Sequence, residues 1–196
     1  MIRVRYILVV ATLLLLCHGV KAQTVYDKYV DFNDAIVQHH PDKAMALGLE
    51  ILNSSEKLPA KTQTKFYAFM AKMYEDNKQP DNAIKYYELV VAGAPDYYIA
   101  HRALGYLYLD KANAIAATIN QNPGNKAAYD KAVSGYAAVV RSALPHLEKD
   151  EACNPDADEL AQIKRLYAKI NDKAGLSTLD ARLKQLAGKC VDLLTD

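Results

Sequence analysis

The stretch Tyr67-Ala68-Phe69-Met70-Ala71-Lys72-Met73-Tyr74 decides how this chain is read. Its large and small apolar residues recur at three- and four-residue spacing, the period of a helix that buries one stripe. Ala83 follows nine residues after Tyr74, then come Tyr87 and Pro95, and the same outline returns over His101 to Tyr108. Self-similarity of this kind predicts a repeat built from paired helices. A stack of helix pairs is a surface for holding another molecule.

Working outward, Ala, Leu, Lys, Tyr and Glu dominate, glycines number 8 in 196 residues, and no run alternates in the manner of a strand. Pro41, Pro59, Pro80, Pro95, Pro123 and Pro155 stand mostly beside Asn, Asp or Gly, where one helix stops and the next begins. The punctuation predicts an all-α chain of eight helices over 24–39, 41–54, 59–77, 80–93, 96–120, 124–149, 156–173 and 176–194. Pro145 falls inside the sixth, so a kink or an early end is expected there.

Counted from Thr64, the residues Tyr67, Met70, Ala71, Tyr74, Ala83, Tyr87, Val90 and Pro95 suit in type the preferred positions of a 34-residue unit. Counted from Tyr98, His101, Leu104, Gly105 and Tyr108 do the same, after which the expected alanine is delayed to Ala132. Pro41-Asp42-Lys43-Ala44 echoes Pro80-Asp81-Asn82-Ala83. Ile163, Leu166, Tyr167 and Ile170 again look like a unit's first helix. On these residues the chain resembles the tetratricopeptide repeat family. The resemblance implies a right-handed superhelical array of antiparallel helix pairs, an α-solenoid, whose third hairpin (about 96–149) carries roughly fifteen extra residues. It also implies that Ala71, Gly105, Ala83 and Ala132 permit close helix approach, with Tyr67, Tyr74, Tyr87, Tyr108 and Tyr136 filling the space between hairpins.

The first 22 residues read as a cleaved signal: Arg3 and Arg5, an apolar run from Tyr6 to Cys17, then Val20-Lys21-Ala22. Twelve apolar residues are too few for a membrane-spanning helix, which needs about 20. Lipidation at Cys17 is disfavoured by the bulky Leu16 before it. Cleavage after Ala22 would leave 174 of the 196 residues, enough for one domain over 23–196. Taking Arg3, Arg5 and Lys21 from the 24 basic side chains leaves 21 against 23 acidic ones. That balance supplies no electrostatic reason for a nucleic-acid or membrane-surface partner. Cys153 and Cys190 remain, an even pair that in an exported chain is read first as a disulfide, ahead of two thiols or a metal site. Export and the resemblance together are similar to periplasmic tetratricopeptide proteins of the bacterial cell envelope.

The resemblance places ligands on the concave face, here Lys65, Ala68, Lys72, Glu75 and Asp76 from one unit and Ile99, Arg102, Tyr106, Leu109 and Asp110 from the next. The ligand-binding candidates are Lys65, Lys72, Arg102 and Tyr106, suited to an extended peptide with acidic groups. In the long hairpin, Ala112 to Ala117 is small and apolar and suits packing, beneath a polar tip Asn120-Gln121-Asn122-Pro123-Gly124-Asn125.

Chemistry-bearing residues are scattered. His39-His40 with Asp42 stand at a helix end, His101 takes a core position, and His146 follows Pro145 with no partner in view. Glu148 and Asp150 read as a charged helix end. No phosphate loop, paired-histidine helix or nucleophile elbow is present, and no cofactor is implied. Asn53-Ser54-Ser55 matches a glycosylation acceptor, meaningful only in a eukaryotic secretory pathway. The expectation is a non-enzymatic protein-interaction scaffold of the cell envelope. Its alternatives are a permanent subunit of an envelope assembly, or a small metal-dependent hydrolase using the histidines.

Overall fold

The computed structural model describes residues 23–119 and 124–194. The predicted signal and the tip residues Asn120 to Pro123 lie outside them. The described residues are mostly helical and include no named strand; an isolated bridge joins Tyr97 to Val191 outside the helices. They fall into two compact units, one ending at Glu56 and one starting at Lys57.

The first unit is one hairpin, α1 (Val25–Val37) and α2 (Pro41–Leu52). Thr24 begins α1 with a reciprocal cap: its hydroxyl accepts the Asp27 N–H, and its own N–H donates to the Asp27 carboxylate. Tyr29, Phe32 and Ala35 of α1 and Ala44, Gly48 and Ile51 of α2 are buried, the spacing of two apolar stripes.

The second unit runs α3 (Ala60–Asp76), α4 (Pro80–Gly93), α5 (Tyr98–Ile119), α6 (Lys126–Cys153), α7 (Ala157–Lys169), the short α8 (Lys173–Ser177) and α9 (Leu179–Leu186). Each of α3 to α7 packs on the next, and α9 returns to α6. Tyr74 of α3 stacks on Tyr86 of α4, ring centroids 5.4 Å apart. Tyr74, Tyr87 and Tyr136 are buried and Tyr67 and Tyr108 half-buried; Ala71 and Ala83 are fully buried. Ala112 is buried in a core formed with Tyr136, Val140, Leu147, Ile163 and Leu179, and Ile115, Ala116 and Ile119 pack against it. One face of the small apolar run, Ala112, Ile115 and Ala116, therefore packs in the core, while Ala114 and Ala117 are exposed.

One turn geometry occurs three times, after α1, α3 and α7. His39, Lys78 and Asn171 each adopt a left-handed conformation (φ 56°, 57° and 55°) just past the helix. Their N–H groups donate to Ile36, Glu75 and Ala168, and the next residues' N–H groups to Ala35, Tyr74 and Tyr167. These are Schellman closures that satisfy the last carbonyls. In the first two, Pro41 and Pro80 then open the following helix, a position where the missing N–H costs nothing.

Three boundaries differ from the sequence reading. First, α6 neither ends near Pro145 nor stops at 149; it continues to Cys153, with Ala143, Leu144 and Leu147 buried around the proline. Packing on both flanks holds the turn whose hydrogen bond proline removes. Second, the predicted 156–173 helix stops at Lys169 and the chain reverses at Asn171, because Asn tolerates the left-handed region. Third, the last predicted helix, 176–194, is divided into α8, α9 and a non-helical end. That end is recruited elsewhere: Val191 donates to Asp96 O (2.8 Å) and accepts from Tyr98 N (3.1 Å), capping the start of α5.

Candidate functional site

The end of α6 carries four consecutive charged residues, Glu148, Lys149, Asp150 and Glu151, all buried. Successive helix residues point about 100° apart, so the helix must be enclosed on every side here. Each charge meets a different element. Glu148 accepts from Arg182 Nε and Nη2 of α9, both at 2.7 Å, and from the Tyr167 hydroxyl of α7. Lys149 donates to Asp96 Oδ1 (3.0 Å) and to the Lys189 carbonyl. Asp150 accepts from Arg102 Nε of α5 at 2.7 Å. Glu151 accepts the N–H of Asp156, ahead of α7. Glu148 and Asp150, read from the sequence as simply a charged helix end, are thus buried and paired. The one sequence signal was that no Gly, Pro or Asn follows Leu147 until Asn154-Pro155.

Cys153, on the last turn of α6, is bonded to Cys190 (S–S 2.09 Å, Cα–Cα 5.5 Å). With Lys149 this fastens the chain end across the start of α5.

Against that frame α3, α4 and α5 form a groove of about 660 Å³. Lys72, Arg102 and Tyr106 line it, together with Glu75, Ile99 and Asp110. Lys65 is not among the lining residues, and Leu109 turns into the core. Tyr106 is 44% exposed and offers its ring to the groove, while Pro80, Ala103 and Leu107 add apolar surface. Lys72 and Arg102 each already have a carboxylate. Lys72 Nζ lies 2.5 Å from Asp76 and 3.7 Å from Glu75, and the bond to Asp76 raises its pKa. Arg102, raised chiefly by its bond to Asp150, also sits over the Tyr98 ring at 5.6 Å. Glu75 accepts from the Tyr87 hydroxyl at 2.8 Å. Three of the charges around the apolar floor, on Lys72, Glu75 and Arg102, are thus held by neighbours.

The histidines resolve differently. His39 and His40 form the turn between α1 and α2, and His40, Pro41 and Asp42 line a surface depression. His101 and His146, separated by 45 residues, meet Nδ1 to Nδ1 at 3.0 Å. His101 Nε2 faces the Pro95 carbonyl at 3.1 Å, and His146 stacks on Tyr108, whose hydroxyl donates to Glu88. Burial holds both imidazoles down to about 4, aided at His101 by the His146 charge. Among the described residues no group of three or more His, Cys, Asp or Glu is arranged to hold a metal ion, and no described helix is long and apolar enough to cross a membrane.

No family model, curated protein or solved structure matches this chain.

Proposed function

We propose that the chain is an exported helical-repeat protein of the tetratricopeptide type that acts as a non-enzymatic interaction scaffold in the cell envelope, holding an extended segment of a partner in the groove of α3, α4 and α5. The observation that carries this reading is the exposed Tyr106 ring among Ile99, Ala103 and Leu107, bordered by Lys72, Glu75, Arg102 and Asp110. An apolar floor whose bordering Lys72, Glu75 and Arg102 already have partners is partly preorganised to bind. The recurrent closures at His39, Lys78 and Asn171 favour a repeat origin, and the Cys153–Cys190 bond suits an oxidising compartment.

The test is a photo-crosslinking residue placed at Tyr106, with Tyr129, an exposed residue of α6 (47%), as the reference position. The reading expects one partner captured from position 106, lost on adding Lys72→Ala, with the variant's fold verified by circular dichroism. Capture from 129 alone would move the interface to the long hairpin and reject the groove. Mass determination of the exported protein, expected to begin at Gln23, tests the compartment.

A further inference from the structure

Behind Arg102 and Tyr106 lies a second recess of about 390 Å³, lined by Asp150, Asn154, Asp156, Asp158, Glu159, Gln162 and Arg165 as well as those two residues. Its two deepest acids are side chains of the folded interior: Asp150 is 1% exposed and Glu159 5%. Neither Asp150 Oδ1 nor Glu159 Oε1 receives a hydrogen bond from a described residue. Buried acceptors without donors are costly, so each requires an account. Some of the surrounding donors are already assigned. Arg102 Nε is held by the other oxygen of Asp150, and the N–H groups at the start of α7 are taken by Asp156 Oδ1, which accepts from Asp158 and Glu159 at 2.8 and 2.9 Å.

We propose that this recess binds an organic cation, a guanidinium or primary ammonium group, through Asp150 and Glu159. Four carboxylates against Arg102 and Arg165 exclude an anion. The absence, among the described residues, of a three-ligand cluster argues against a divalent ion, whereas a flat or tetrahedral group with several N–H donors suits two acceptors on different helices. Tyr106 offers an aromatic face of the kind that attracts such cations. Burial, then the charges of Asp150 and Glu151, push Glu159 up to about 7, with Arg102 opposing and Asp156 adding; an incoming cation lowers it by stabilising the ionised form. Because Arg102 and Tyr106 line both the groove and the recess, the natural source of the cation is a Lys or Arg side chain of the segment lying in the groove. That assignment of source rests on the groove reading; the recess itself does not.

Methylguanidinium chloride is the probe, titrated into the full chain at constant ionic strength while side-chain carboxyl resonances are followed by NMR, with potassium chloride and sodium acetate as references. Saturable shifts at Glu159 and Asp150, with the Glu159 titration midpoint falling below 7, are expected. Affinity should weaken about tenfold in Glu159→Gln, and also in Asp158→Asn, an exposed position whose change leaves the fold intact. Shifts that do not saturate, that potassium reproduces, or that acetate produces instead would overturn the proposal. A recess that binds methylguanidinium while position 106 captures no partner would sustain the cation site and reject its peptide source; capture at 106 without any saturable shift would sustain the groove and reject the recess.

Discussion

A Cβ placed on Gly105 would stand 2.6 Å from Leu147 Cδ2 and 3.3 Å from the Leu147 backbone nitrogen. Helices α5 and α6 thus touch nearly backbone to backbone, one turn above the Arg102–Asp150 pair. Leu147 is fully buried and has no room to withdraw. Gly105→Ala should cost about 1 to 3 kcal/mol despite alanine's better helix propensity. Urea unfolding checks it; an unchanged or raised midpoint would refute the contact.

The Cys153–Cys190 bond closes a loop of 37 residues, worth about 4 kcal/mol on the chain-entropy relation. Cys190→Ser should lose up to that amount. The loss should be accompanied by faster hydrogen exchange at Val191 and Tyr98, whose N–H groups depend on the chain end staying across α5. Unaltered exchange there would mean that Lys149 alone fastens the segment.

Glu148 is 3% exposed and holds Arg182 through two bonds. Removing the guanidinium leaves a buried carboxylate with the Tyr167 hydroxyl as its remaining partner. Arg182→Leu should therefore destabilise by about 3 kcal/mol. A double-mutant cycle with Glu148→Gln reads the coupling, which should exceed that of the exposed Lys126–Asp130 pair on the same helix.

The His101–His146 pair makes the fold acid-sensitive. Both imidazoles titrate near 4 in the folded protein against 6.5 when unfolded. The unfolded chain thus binds more protons between those values, and stability falls as pH drops from about 6.5 to about 4. The loss should total about 3 kcal/mol, allowing for solvent at the half-buried His101. Glu159, raised to about 7 from 4.5, acts with the opposite sign over 4.5 to 7. Comparing the native chain with His146→Phe isolates that residue's share: about half of the histidine acid slope should disappear in guanidinium titrations from pH 4 to 7, His101 supplying the rest.

How much of this was legible varies by residue. Pro41 and Pro80 marked helix starts because their effect is covalent and local. Lys72, Arg102 and Tyr106, expected together from the repeat resemblance, do line one groove, although they come from two helices. Lys65, expected with them, lies outside the groove, which begins where α5 approaches. The closures at His39 and Lys78 went unseen because glycine is the usual signal and neither is glycine.

By itself the sequence determined the all-helical character, the order of the hairpins and the stripes they bury, since periodicity and capping act within a few residues. Only the tertiary structure decided the state of the charges. Whether Glu148, Asp150 or His146 is solvated depends on Arg182, Arg102 and His101, which stand 34, 48 and 45 residues away. Burial and pairing are properties of neighbours in space, and no local pattern encodes which distant side chain will complete a buried charge.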